Sequence, residues 1–114
     1  MELDKLYNMD CLEGMRSLPD SCVDLIVCDP PYGTIKGIEA STDKFKKDTT
    51  WDVVIPTDQL FNQYERVLRR GGHVVLFSQE PYTCHLRTFT PRNMEFCYPM
   101  IWYKDQCGNP LLAN

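Results

Sequence analysis

The sequence has 114 residues, of which 43% are hydrophobic and 25% charged, and a formal net charge of −4 at pH 7. This length and composition indicate one small soluble domain and exclude disorder over most of the chain. The negative charge argues against a partner held by bulk positive charge, although a local basic strip could still contact nucleic acid.

The cysteines and the first residues indicate a reduced, cytoplasmic protein. The six cysteines form no CxxC pair, and His73 and His85 have no ligand-like spacing with them, so we expect free thiols and no metal site. The opening MELDKLYNMD has neither the basic nor the apolar region of a signal peptide. No apolar run is long enough to cross a membrane, which predicts that no membrane is involved.

The first part of the chain predicts strand, helix and strand. Leu3–Tyr7 is a short apolar stretch that suits a strand. Apolar residues then recur at helical spacing over Cys11–Leu18, and Asp10 with Glu13 resembles a capping box. Val23–Cys28 is almost continuously apolar, as in a parallel strand that is covered on both faces.

The middle of the chain predicts a long loop followed by a helix and a strand. Residues 33–50 are rich in lysine and small polar residues, and a loop of this length is usually functional or mobile. Trp51, just after the loop, is expected to be anchored in the core. A helix begins near Thr57, its expected cap, and glycines 71 and 72 are expected to end it before a strand over His73–Phe77. The basic residues expected in its last turns are Arg66, Arg69 and Arg70.

The last part predicts a helix and an edge strand. A helix is expected over Pro81–Arg87, with the proline at its first position. Glu95–Tyr103 is rich in aromatic and β-branched residues and predicts a third strand, and Pro99 places it at a sheet edge or a bulge. Trp102 and Tyr103 would then pack on the sheet. Alternating helices and strands of this kind indicate an open α/β sheet.

In such sheets ligands bind beyond the carboxyl ends of the strands. Asp29 follows one strand, and Ser78, Gln79 and Glu80 follow the next. The turn Asp29-Pro30-Pro31-Tyr32 is rigid and has no proline N–H, so it offers the Asp29 carboxylate and the Pro30 carbonyl as acceptors beside an aromatic ring. This arrangement suits a planar ligand with an amino group, such as a nucleobase. The alternative interpretation is a rigid turn capped by an aspartate.

These four residues resemble the catalytic motif of the DNA adenine-N6 and cytosine-N4 methyltransferases that use S-adenosylmethionine; the D-P-P-Y form is typical of the adenine-N6 members. Three segments extend the resemblance, to the β class of the family, over almost the whole chain. They are LYNMDCLEGMRSLPDSCVDLIVCDPPYG, VLRRGGHVVLFSQEPY and YPMIWYKDQCGNPLLAN.

The resemblance implies a partial Rossmann-like class I methyltransferase sheet with flanking helices, spanning residues 1–114 as a single partial domain. Asp29 and the Pro30 carbonyl would hold the amino group, and Tyr32 would stack on a base flipped out of double-stranded DNA. Asp10 and Asp29 would lie near the cofactor, although Asp10 fits a helix cap equally well. Lys36 and Lys44 of the loop would contact DNA phosphates, unless the loop is simply solvated.

The family's glycine-rich F-x-G-x-G cofactor motif cannot be built from the glycines of this sequence, and its target-recognition region has no counterpart. We therefore expect the front part of a longer or truncated enzyme, inactive and weak in cofactor binding when alone. Sequence reasoning leaves open a cytosine-N4, RNA or protein-glutamine methyltransferase, and an inactive or split methyltransferase subunit.

Overall fold

A computed structural model describes residues 1–34 and 50–106. Within these ranges the elements are α1 (Cys11–Arg16), β1 (Val23–Cys28), α2 (Thr57–Val67), β2 (Leu68–Leu76) and α3 (Tyr82–Thr88). The inner five predicted elements, in the order helix, strand, helix, strand and helix, are therefore confirmed. None of the helices in these ranges is long and apolar enough to cross a membrane.

The two strands pair in parallel, with Ile26 opposite Val74 and Cys28 opposite Leu76. A parallel pair needs a long crossover connection, and α2 lies in it. Both strands therefore end at the same edge of the sheet, as predicted. The unit is α/β, whereas two strands and one crossover helix do not by themselves define a Rossmann-like sheet, which stays a prediction.

The core lies between α2 and one face of the sheet. Leu60, Phe61 and Tyr64 are buried along one side of the helix, as the apolar spacing predicted. The sheet residues that pack against this cluster are Ile26, Val74 and Leu76. Since side chains of a strand alternate between faces, only every second residue of β1 reaches this core.

The other face of the sheet is open among the described residues, so the expectation that β1 is covered on both faces is wrong. Leu25 and Val27, which alternate with Ile26, are 55% and 61% exposed. A continuous apolar run shows that both faces can be covered, but it does not supply the segment that covers the second one.

The N-terminal ends of α2 and α3 differ from the prediction by one residue. Pro56 and Pro81 occupy the capping positions, and Thr57 and Tyr82 are the first helical residues. The Thr57 hydroxyl therefore does not cap α2. It shares a hydrogen bond of 2.7 Å with Nε2 of His85 and so joins α2 to α3.

The junction of α2 with β2 is also different from the prediction. α2 ends at Val67 and the strand begins at once at Leu68, so Gly71 and Gly72 do not end a helix. Gly71 has a φ of +80°, and a Cβ on Gly72 would lie 3.0 Å from the backbone oxygen of Asp24 in β1. Glycine thus allows the register shift between the strands. The arginines that this correction moves from the helix into the strand are Arg69 and Arg70.

Two predicted strands, Leu3–Tyr7 and Glu95–Tyr103, are not formed. Neither has a partner strand within the described ranges, and Pro99 lacks the N–H that a ladder would need. Tyr103 is 87% exposed, so its expected packing on the sheet is wrong. Trp102 is 70% exposed, but its ring contacts that of Phe77 just after β2, with centroids 5.6 Å apart.

Candidate functional site

The turn Asp29-Pro30-Pro31-Tyr32 leaves the carboxyl end of β1. Just before it, the amide of Phe77 donates to the carbonyl of Cys28 at 2.9 Å, which joins the ends of the two strands. Asp29 is exposed and Pro30 is buried. The turn is therefore anchored in the protein and presents its carboxylate to solvent.

Tyr32 is held from two directions. Its hydroxyl donates a hydrogen bond to the Asp29 carboxylate, and its ring stacks against that of Tyr82 with centroids 5.8 Å apart and an interplanar angle of 27°. Burial and the hydrogen bond to Asp29 raise the pKa of Tyr32 above its ordinary value of 10.0. The phenol therefore stays protonated at neutral pH and can donate to the carboxylate.

The residues after β2 do not all face this turn. Gln79 Nε2 donates to the hydroxyl of Thr34 at 2.5 Å, which brings Gln79 next to the segment that follows Tyr32. Ser78 and Glu80 instead make hydrogen bonds to α3, with distances of 2.7 and 3.1 Å. The predicted meeting of the two strand ends thus holds for Gln79.

Asp10 caps α1, as the capping interpretation predicted. Its Oδ1 accepts hydrogen bonds from the amides of Leu12 and Glu13 at 2.9 and 3.1 Å. Burial raises the pKa of the Cys11 thiol, and the nearby Asp10 and Cys28 raise it further. The described contacts of Asp10 are those of a helix cap, and a role of Asp10 towards the cofactor stays a prediction.

Asp52 is the residue of this region that sequence reasoning missed. It is only 2% exposed, and its Oδ1 accepts a hydrogen bond of 3.0 Å from the backbone N–H of Gly33, directly after Tyr32. Trp51, which was expected in the core, is 60% exposed instead. The sequence signal that could have identified Asp52 is that it is the single charged residue in the apolar stretch of residues 51–54.

Other predicted residues lie outside the described ranges. Lys36 and Lys44 belong to the undescribed part of the loop, so their contact with DNA stays a prediction. In the part of the chain that the structure describes, no group of His, Cys, Asp and Glu side chains could hold a metal ion. The five cysteines of that part are free of disulfide bonds.

The chain is similar to two curated methyltransferases. It is 33% identical to the Type II methyltransferase M.BamHI of Bacillus amyloliquefaciens over 98 residues, which are 83% of this chain and 22% of that protein. It is 30% identical to the Type II methyltransferase M.BglII of Bacillus subtilis over 79 residues, which are 63% of this chain and 18% of that protein.

The chain thus spans about a fifth of the length of the curated relatives that it matches. No family model matches it, and no solved structure does.

Proposed function

We propose that this chain is the base-binding part of a DNA methyltransferase of a restriction–modification system, which transfers a methyl group from S-adenosylmethionine to the N6 amino group of adenine. The observation that carries the proposal is the exposed Asp29 carboxylate at the end of a parallel strand, with the ring of Tyr32 held beside it. The similarity to Type II methyltransferases supports it.

In this proposal the turn binds an amino group by its two hydrogens. The Asp29 carboxylate and the Pro30 carbonyl accept them, and the lone pair of the nitrogen becomes more available to an electrophile. A carboxylate has two oxygens, so Asp29 can keep the hydrogen bond from Tyr32 on one and accept the amine on the other. The ring of Tyr32 stacks on the base after it has flipped out of double-stranded DNA.

The described residues do not by themselves fit S-adenosylmethionine. Oδ1 of Asp10 accepts two backbone amides, which leaves its other oxygen as an acceptor towards a cofactor. The sequence lacks the glycine-rich motif expected for this cofactor. The methyl group would therefore come from cofactor that is held mainly by further polypeptide or by a partner subunit. The uncovered apolar face of β1 is a suitable contact surface for such a part.

The same turn would accept other planar amino groups. Cytosine N4, a base in RNA and a protein glutamine side chain are the alternative substrates, and an inactive or split subunit is the alternative state of the enzyme. These alternatives differ in the methylated product, so the experiment must identify that product.

The test replaces the matched segment of M.BamHI with the corresponding residues of this chain. We expect the chimera to methylate DNA, with N6-methyladenine found by mass spectrometry of the digested nucleosides. Asp29→Ala should abolish the product, whereas Asp24→Ala, a change of an exposed aspartate within β1, should retain it. N4-methylcytosine would show that the M.BamHI part, rather than this turn, selects the base, and a folded chimera that binds cofactor but yields no product would contradict the function.

A second measurement tests whether this chain binds the cofactor by itself. Calorimetry of the 114-residue chain with S-adenosylmethionine should show binding that is weaker than micromolar. Micromolar affinity would contradict the proposal that another part of the enzyme holds the cofactor.

A further inference from the structure

Asp52 joins two parts of the chain that are 19 residues apart in sequence. Its Oδ1 accepts the backbone N–H of Gly33 at 3.0 Å. Gly33 follows Tyr32 directly, while Asp52 lies five residues before α2. The hydrogen bond therefore ties the end of the Asp29–Tyr32 turn to the segment that leads into the core helix.

The burial of Asp52 makes this hydrogen bond stronger than a surface contact. The residue is 2% exposed, and a buried carboxylate is costly unless hydrogen-bond donors face it. The Gly33 N–H is one such donor, and a hydrogen bond to a charged acceptor is about twice as strong as a neutral one. Moving Gly33 away would remove a donor from a buried charge, so the backbone at Gly33 is held in place.

The close surroundings of Gly33 restrict it further. Gly33 has a φ of +76°, which L side chains rarely adopt, and a Cβ there would lie 3.0 Å from Cγ2 of Val54. The backbone after Tyr32 thus has little room on one side and a hydrogen bond to a buried carboxylate on the other. On the far side of the turn, stacking on the ring of Tyr82 restricts the movement of the Tyr32 ring.

The geometry points to Asp52 as a positioning residue for the candidate site: by holding the Gly33 amide, it places Tyr32 between Asp29 and Tyr82. Asp52 itself touches no substrate, and it acts through the backbone. That this placement of Tyr32 serves catalysis rests on the proposed function, whereas the placement itself is independent of that function. A small displacement of a positioned group lowers rates strongly, by about a hundredfold for 1 Å.

The first test is NMR spectroscopy of the labelled 114-residue chain with Asp52→Ala, Asp52→Asn and the exposed control Asp58→Asn. We expect Asp52→Ala to accelerate amide exchange at Gly33 by about tenfold or more and to shift the ring resonances of Tyr32. Asp52→Asn keeps an acceptor oxygen and should restore both signals, and Asp58→Asn should change neither. Amides along α2 should keep their protection in every variant.

Three outcomes would overturn the inference. They are unchanged Gly33 exchange in Asp52→Ala, no rescue by Asp52→Asn, and loss of α2 protection in both variants, which would show a role in folding alone. Gly33→Ala gives an independent check, because the added Cβ displaces the same backbone. It should shift the Tyr32 resonances while the side chain of Asp52 is intact.

The second test measures kinetics in the M.BamHI chimera. Asp52→Ala should lower kcat by about ten- to a hundredfold with the cofactor KM unchanged, whereas Asp52→Asn should stay within about threefold of the parent. An unchanged kcat in Asp52→Ala would overturn the catalytic part of the inference. If the parent chimera is folded but inactive, the proposed function fails, and the NMR result still decides whether Asp52 positions Tyr32.

Discussion

The two faces of the β1–β2 sheet are made of the same kinds of apolar residue, but among residues 1–34 and 50–106 only one of them is covered. Ile26 packs against the cluster on α2, while its neighbours Leu25 and Val27 are 55% and 61% exposed on the opposite face. The covered face should therefore provide most of the stability of the chain. We propose the open face as the contact surface for further protein. Its side chains are exposed in this chain, so the two faces should respond differently to the same substitution.

The largest difference is expected for the same change on either side of this sheet. Leu60 is 1% exposed under the covered face, and Leu60→Ala should reduce the free energy of unfolding by about 3 kcal/mol, because it leaves a cavity. Leu25→Ala removes a half-exposed side chain and should cost less than about 1 kcal/mol. Urea denaturation measures both, and equal losses would show that the open face is covered in solution.

A smaller difference is expected for two arginines. The guanidinium of Arg66 donates to the carbonyls of Met15 and Leu18 at 2.6 and 2.7 Å, so it holds α1 against α2. Arg66→Ala should cost about 2 kcal/mol, because it removes two hydrogen bonds from a charged donor, although the Met15 carbonyl still accepts the amide of Leu18. Arg69→Ala breaks only the exposed ion pair with Asp24 and should cost about 0.5 kcal/mol. The same denaturation assay would contradict the comparison if Arg69→Ala cost more.

The next effect concerns the core and depends on pH. The Tyr64 hydroxyl is buried without a hydrogen-bond partner among the described residues, although Cys28 lies close enough to affect its ionisation. Tyr64→Phe should therefore raise the free energy of unfolding by about 1 kcal/mol at neutral pH, since it removes an unsatisfied polar group. The exposed Tyr98 provides the control, and Tyr98→Phe should have no effect.

The pH dependence of stability at alkaline pH tests the same residue. Burial raises the pKa of Tyr64 above its ordinary value of 10.0. The folded state then favours the protonated phenol, so its stability is full below about pH 10 and is lost as the pH rises towards the higher pKa of the folded state. Tyr64→Phe should reduce this alkaline loss when unfolding is followed from pH 8 to 11. An identical pH profile in the variant would assign the loss to other groups.

The smallest effect on stability is expected on the open face. Val27→Lys should change the free energy of unfolding by less than about 0.5 kcal/mol. The exposed apolar patch also predicts that the isolated chain self-associates in sedimentation velocity, and Val27→Lys should reduce this association. Asn62→Lys adds the same charge on the exposed side of α2 and is the matched control. Equal effects of the two variants on association would mean that net charge, rather than this face, is responsible.

The candidate site was predictable where its signals are local. Asp29 and Tyr32 belong to one short turn, and their hydrogen bond spans three residues. The contacts with Tyr82 and Gln79 come from the segments after β2, and only the paired strand ends bring them to the turn. Asp52 was missed because a buried charge in an apolar stretch reads as a surface residue until its partner across the loop is known.

The sequence alone determined the order of the five elements from α1 to α3, the cap of α1 and the rigid turn after β1, because capping, apolar spacing and proline geometry act over a few residues. Only the tertiary structure decided which face of β1 is covered and that Asp52, rather than Trp51, is buried. It also decided that the two glycines of β2 serve a register shift. Burial and register depend on segments far apart in the chain, so no local pattern contains them.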